Sequence, residues 1–293
     1  MTRLTSGDIE AVCDHLPAYD RHLQSATGRS LLGIGAAAAG IADVGPLQHD
    51  AASVKMAVVP VRGGLGIIGG FSAAVGGILR HLGIDAWVTD QADVAGFAEG
   101  VSGGAQVILA SDDDLFAAFC IRQAKIVDNA QATARGYVAA LDLMAGGLAG
   151  KTVLVLGCGP VGRWAVQALL LRRARICVFD RIATRSADLV RWAEAANRRA
   201  HIRAAATLEQ ALGDHDLIVD ATDAADIVQA RHVTERTRIA APGMPCGVSP
   251  EARRRLGSRM LHDPLPICVA VMACDAMRIV GVRSDADPQG ERP

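Results

Sequence analysis

Apolar and polar positions along this chain change their period several times, and each change marks an element. Residues 5–27 have helical spacing and read as two short helices, the first capped by Thr5 or Ser6, with Pro17 interrupting and Gly28 ending the second. Residues 32–53 are rich in Gly and Ala, show no period, and read as a connection. A regular alternation follows: KMAVVPV as strand, FSAAVGGILRHLG as helix, DAWVTD as strand, VAGFAEGVSGG as helix and AQVILASD as strand. A longer helical region is expected over 114–146, ending at Gly146–Gly147. The second half repeats the class. KTVLVLG, RICVFD, a weak segment at 201–205, DLIVDAT, TRIAAPG and SRMLHDPL read as strands. PVGRWAVQALLLRR, SADLVRWAEAANRRA, a short stretch near 207–212, PEARRRLG and CVAVMACDAMRIV read as helices. Strand–helix alternation of this kind implies parallel strands joined by crossover helices.

Two loops carry the spacing G-x-G-x-x-G: Gly64, Gly66 and Gly69 in GGLGIIGG, and Gly157, Gly159 and Gly162 in LGCGPVGR. A dinucleotide-binding loop needs its first glycine at the end of a buried strand, its second for backbone approach to the pyrophosphate, and its third for close helix packing. An acidic residue about 20 positions on should close the next strand and hold the adenosine ribose. The later loop meets each demand: VLVL runs into Gly157, Pro160 and Val161 open a helix, and RICVFD ends at Asp180. In the earlier loop Pro60 and Arg62 separate strand from glycines, so it reads as a tightly packed turn facing a substrate. The cofactor is therefore assigned to Gly157, Gly159, Pro160, Val161 and Asp180, with Thr222 and Pro242 at the strand ends where nicotinamide and the second ribose belong. Asp180 favours NAD over NADP by charge, and Arg181 beside it softens that preference. The expected fold class is α/β: N-terminal helices with a small α/β substrate-binding unit over 1–148, a Rossmann-type doubly wound parallel-sheet domain over 149–282, and a polar, disordered tail over 283–293. The boundary falls in GGLAGK.

Composition narrows the partners. A net charge of −1 without a basic block lacks the signature of a nucleic-acid binder, and Arg198–Arg199 and Arg253–Arg255 read as solvated helix faces. No apolar run reaches the ~18 residues that cross a bilayer, and MTRLTSGDIE has no signal-peptide pattern. The seven cysteines are scattered without C-x-x-C or paired Cys/His spacing, so no metal site is expected, and the chain reads as reduced and cytoplasmic. Only His262 among the eight histidines falls near the presumed cleft.

The blocks VPVRGGLGIIGGFS, WVTDQADVAGF, GGAQVILASDDDLF, KIVDNAQATARGY, VLVLGCGPVG and APGMPCGVS resemble, in order and spacing, the dehydrogenases of pyrrolysine biosynthesis, the PylD family. The likeness runs from about residue 3 to about 276. It implies an enzyme that uses NAD to oxidise the terminal amine carbon of L-lysine-Nε-3-methyl-D-ornithine. The imine loses ammonia to give an aldehyde, which condenses with the remaining amine to close the pyrroline ring. The expected partner is thus a small molecule, a lysine–ornithine isopeptide.

Such chemistry needs a neutral amine at the reacting carbon and acidic anchors for the other charged groups. Asp112, at the end of VILASD, matches a family aspartate and is the candidate amine anchor or base; capping of a following helix LFAAFCI is the other reading of Asp112–Asp114. Asn129 matches a family asparagine and is a candidate hydrogen-bond partner. Ile67 and Phe71 would form an apolar wall, and Leu4 would help to close the pocket. In the glycine loop Gly63 and Leu65 replace a serine and an asparagine of the family, and Asp263 replaces a glutamate. These departures leave two other readings open: an amine or imine oxidoreductase acting on another ornithine-like substrate, and a nicotinamide-sensing protein without turnover.

Overall fold

The computed structural model describes residues 4–10, 12–64 and 68–281. Leu65, the expected wall residue Ile67 and the tail at 283–293 lie outside the described residues. The chain begins with helices α1 (Ser6–Ile9), α2 (Val12–Thr27), α3 (Leu31–Ala39) and α4 (Gly45–Asp50). β1 (Lys55–Val59), α5 (Phe71–His81), β2 (Asp85–Val88), α6 (Asp93–Ser102) and β3 (Val107–Ser111) follow, then β4 (Phe116–Cys120), β5 (Lys125–Asp128) and α7 (Asn129–Met144). The second half runs β6 (Thr152–Leu156), α8 (Pro160–Leu171), β7 (Arg175–Phe179), α9 (Ala183–Ala196), β8 (Ile202–Ala204) and α10 (Leu208–Asp214). It ends with β9 (Leu217–Asp220), β10 (Arg238–Ala240), α11 (Pro250–Leu256), β11 (Met260–Leu261) and α12 (Pro266–Val280).

Two sheets result. The first has order β2-β1-β3-β4-β5, with β1, β2 and β3 parallel and the last two strands antiparallel. In the second, β11-β10-β9-β6-β7-β8, every pairing is parallel. Chain order runs outward from β6 to β8 on one side and from β9 to β11 on the other. This is the doubly wound Rossmann arrangement, whose switch point lies between β6 and β9. Val153–Leu156 are fully buried, as a strand covered by helices on both faces requires.

Three sequence expectations are corrected. The supposed connection at 32–53 contains α3 and α4. Eight of the nine residues of α3 are buried against α12, α7 and their neighbours, and a helix buried on all sides shows no amphipathic period. Gly35 is what permits the contact, since a Cβ there would stand 2.8 Å from Ala270 O. The expected helix at 114–146 is a hairpin, β4–β5, followed by α7; short buried apolar runs such as FAAFC have no period that separates strand from helix. Pro17 lies inside α2 rather than ending it, because Leu16 and Leu23 bury one face and hold the helix across the missing hydrogen bond. α12 is buried from Pro266 to Met277 and packs on α3, α7 and α5, so the last helix returns to the first sheet.

Candidate active site

The carboxyl ends of both sheets open onto one cleft of ≈ 720 Å³, lined at its walls by Val59 and Ser111 from the first sheet and by Leu156 and Ala221 from the second. Ligands of open α/β sheets sit in such a crevice, and the volume is that of a small-molecule site.

On the second-sheet side the β6–α8 loop is shaped by its glycines. Gly157 has φ +86°, and a Cβ there would stand 2.7 Å from Ala221 O. A Cβ on Gly162 would stand 1.9 Å from Gly157 O, so α8 packs directly on the loop, whereas a Cβ on Gly159 would meet nothing. Gly159 is the N-cap of α8, with no capping side chain, and Pro160 follows at the first helical position. First-turn amides without a cap, beside open space, suit a pyrophosphate. Asp180 follows β7 and orders the loop itself: Oδ2 accepts from Cys158 N at 2.8 Å and Oδ1 from Ile182 N at 2.9 Å. Asp180, Arg181, Thr222 and Pro242 line the cleft with Gly157, Gly159, Pro160 and Val161. These residues fit a nicotinamide dinucleotide.

On the first-sheet side Asp112 lines the cleft but caps no helix, as the region after it is strand. Its Oδ1 accepts from Asp114 N at 2.9 Å and Leu115 N at 2.8 Å, closing the β3–β4 turn. Those amide bonds to Leu115 and Asp114 hold the carboxyl below its ordinary pKa. A carboxylate held so low is a better anchor for an ammonium than a proton acceptor at neutral pH. Asn129, Thr133 and Tyr137 lie four residues apart on α7 and all line the cleft. Phe71 meets Phe116 edge to face at 5.2 Å, and both line the apolar wall with Leu4. Gly63 is exposed and is not among the lining residues, and neither is His262, whose Nδ1 lies 2.8 Å from Ala241 O.

Two buried aspartates bear on the cleft: Asp263 lines it, whereas Asp220, next in sequence to the lining residue Ala221, does not. Asp263 accepts from the Tyr19 hydroxyl, from Leu265 N at 3.1 Å and from Ile267 N at 3.3 Å. The Tyr137 hydroxyl donates to Asp263 O at 2.7 Å and accepts from Asp263 N at 2.8 Å. Burial pushes the Asp263 carboxyl up, against these bonds. Asp220, at the end of β9, is wholly buried. Its Oδ1 accepts from Thr222 N at 3.2 Å and Thr222 Oγ1 at 2.7 Å, while Oδ2 makes no hydrogen bond. Burial raises its pKa from 3.8 to about 6.

Sequence reasoning missed Tyr19, Thr133, Tyr137, Arg185, Cys268 and Asp220. Two signals were present: the i, i+4, i+8 spacing of Asn129, Thr133 and Tyr137 on an alanine-rich stretch, and Asp220 as the charged end of the apolar run LIV. Among the described residues no group of His, Cys, Asp and Glu has the arrangement of a metal site. No helix of the described residues is long and apolar enough to cross a membrane.

Comparison with known proteins finds likenesses for both parts of the chain. The family described as "Pyrrolysine biosynthesis protein PylD, N-terminal domain" matches residues 8–127, and "Shikimate / quinate 5-dehydrogenase" matches residues 140–244. Pyrrolysine synthase of Methanosarcina barkeri is 30% identical over 280 residues, covering 93% of this chain and 97% of the relative. That of Methanosarcina acetivorans is 29% identical over 287 residues, covering 93% and 98%. Among solved structures, quinate dehydrogenase from Corynebacterium glutamicum in complex with NAD aligns with TM-score 0.52 at 13% identity, covering 78% of this chain and 93% of that one. Shikimate 5-dehydrogenase from Thermus thermophilus, in complex with NADP(H) and shikimate, aligns with TM-score 0.50 at 18% identity, again covering 78% and 93%. At such identities the structural likeness establishes the fold.

Proposed function

The chain belongs to the pyrrolysine synthase family, and on that footing we propose that it is an NAD-dependent dehydrogenase that converts L-lysine-Nε-3-methyl-D-ornithine into pyrrolysine. The observation that carries this reading is the cleft that joins the β6–α8 glycine loop to Asp112 and Asn129. A nicotinamide ring bound there supplies the acceptor for the hydride removed from the terminal amine-bearing carbon.

The uncapped turn at Gly159–Val161 holds the pyrophosphate and Asp180 the adenosine ribose. Thr222 and Pro242 flank the nicotinamide end. Thr222 is held for that task by its paired bonds to Asp220. Asp112, an aspartate ionised across the neutral range and held further below its ordinary pKa by its amide bonds, anchors a substrate ammonium group, and Asn129 hydrogen-bonds beside it. Phe71 and Phe116 exclude water from the methyl-bearing segment. Loss of hydride and a proton turns the terminal CH–NH₂ into an imine. Water then replaces ammonia to give an aldehyde, and attack by the remaining amine with loss of that water closes the pyrroline.

A second reading is supported by Asp263, where the family carries a glutamate. Its carboxylate is already occupied by Tyr19, Leu265 and Ile267, which favours an ornithine-like substrate lacking one of the isopeptide's contacts. Initial rates of NAD reduction with the isopeptide, D-ornithine and 3-methyl-D-ornithine separate the two. The first reading predicts that kcat/KM for the isopeptide exceeds the others by at least about a hundredfold, because remote binding energy is realised at the reacting centre. A preference for a free ornithine would support the second.

A further inference from the structure

We propose that Asp220 is a positioning residue for the nicotinamide ring: it engages the hydroxyl proton of Thr222, so that Thr222 offers the cleft only an acceptor, matched to the N–H₂ of the ring's carboxamide. The proposal rests on the reading that this cleft holds a nicotinamide cofactor.

Two loops meet at this end of the cleft. Thr222 and Ala224 line it from the loop after β9, and Pro242, Gly243 and Met244 from the loop after β10. Asp220 lies behind both, wholly buried and not itself a lining residue. Its backbone carbonyl accepts from Gly243 N at 2.9 Å, which ties the second loop to the end of β9. Both bonds to its Oδ1 come from Thr222, from N at 3.2 Å and from Oγ1 at 2.7 Å. The carboxylate is also wedged in place. A Cβ on Gly247 would stand 2.0 Å from Oδ2, so the group has no room to swing away from Thr222 on that side.

A hydroxyl has one proton and two lone pairs, whereas an ionised carboxylate only accepts. Burial lifts the Asp220 carboxyl to about 6, so at pH 8 it is ionised and the Thr222 hydroxyl must be the donor between them. One lone pair of Thr222 Oγ1 faces Ala224 N, at 3.5 Å. The other is left for the cleft that Thr222 lines. A β-branched side chain is stiff at χ1, and the second bond from Thr222 N to the same oxygen fixes the residue further. The carboxamide N–H₂ is the one donor that a nicotinamide ring carries. A fixed acceptor selects it over the carbonyl oxygen of the same group, and the ring is thereby oriented.

Calorimetric titration of the full-length protein at pH 8 compares NAD with 3-acetylpyridine adenine dinucleotide, in which a methyl group replaces the carboxamide N–H₂. The unmodified protein should bind NAD about five- to tenfold more tightly, the worth of one hydrogen bond. Thr222→Val and Asp220→Ala should each bring that ratio to within about twofold. Asp220→Leu, which fills the space without an acceptor, is the second variant should the alanine chain not fold. Asp220→Asn keeps an acceptor for the hydroxyl and Thr222→Ser keeps the hydroxyl, so both should preserve a ratio of at least about threefold. Because Asp220 acts through Thr222, combining Thr222→Val with Asp220→Ala should lower the ratio no further than either change alone. A purely structural role would weaken both dinucleotides together and leave the ratio at the parent value. That result in Asp220→Ala or Asp220→Leu overturns the proposal, as does equal binding of the two dinucleotides by the unmodified protein. Equal binding would leave the cofactor reading intact, whereas failure of both to bind would remove the two together.

Discussion

Replacing Asp220 by asparagine removes a wholly buried negative charge while keeping the oxygen that Thr222 binds, and the consequence is calculable. Burial, opposed by the Thr222 bonds, the nearby His262 and the Gly247 backbone, lifts the carboxyl from 3.8 to about 6. Because the folded chain holds this proton to higher pH than the unfolded chain does, the folded state gains stability as pH falls through the window from about 6 to 4. Above about 6 the full penalty of the buried charge is present, about 3 kcal/mol at 1.36 kcal/mol per pK unit. Asparagine carries no such penalty. Weakening of the bond from Thr222, which no longer meets a charge, returns about 1 kcal/mol. The net gain at pH 8 is therefore about 2 kcal/mol, or roughly 4–8 °C in Tm for a chain of this size. Thermal unfolding followed by circular dichroism from pH 4 to 8.5 measures it, with the difference between variant and parent shrinking to zero near pH 4.5 and reversing by pH 4. A variant less stable than the parent at pH 8, or a difference that does not change with pH, would mean that the buried charge carries no such penalty.

Other consequences are equally direct. Gly162→Ala drives a methyl group into Gly157 O and should cost about 1–3 kcal/mol of local fit, read as at least a tenfold weaker NADH titration. Asp112→Asn should raise the substrate KM by about tenfold or more through loss of one charged hydrogen bond, with the NADH dissociation constant as the control. Since Asp112 is held below its ordinary pKa, that KM difference should persist as pH is lowered to 5. Tyr19→Phe takes a donor from the buried Asp263 carboxylate and should lower stability by about 1–3 kcal/mol, measured as a fall in Tm.

Much of the second half was legible because it is local. The strand VLVL, the three glycines, Pro160 and Asp180 lie within one β–α–β unit, and each residue type is dictated by a backbone demand at its own position. The all-parallel order around β6 follows from the same alternation. What failed did so for want of a period. α3 is apolar on nearly every side, and FAAFC is too short to declare itself strand, so the sequence offers a helix cap as the other reading of Asp112–Asp114 where the chain forms a hairpin. The base of the cleft was illegible for another reason. Tyr19 and Asp263 are 244 positions apart, and nothing in the sequence around either announces the bond between them. Asp220 alone left a trace, as a charged residue ending the apolar run LIV.

The most direct test of the proposed activity mixes the purified protein with NAD and L-lysine-Nε-3-methyl-D-ornithine, following NADH by absorbance and pyrrolysine and ammonia by mass and enzymatic assay. NADH, ammonia and pyrrolysine are expected in equal amounts. NAD bound without any reduction, or NADH formed without pyrrolysine, would contradict the proposal.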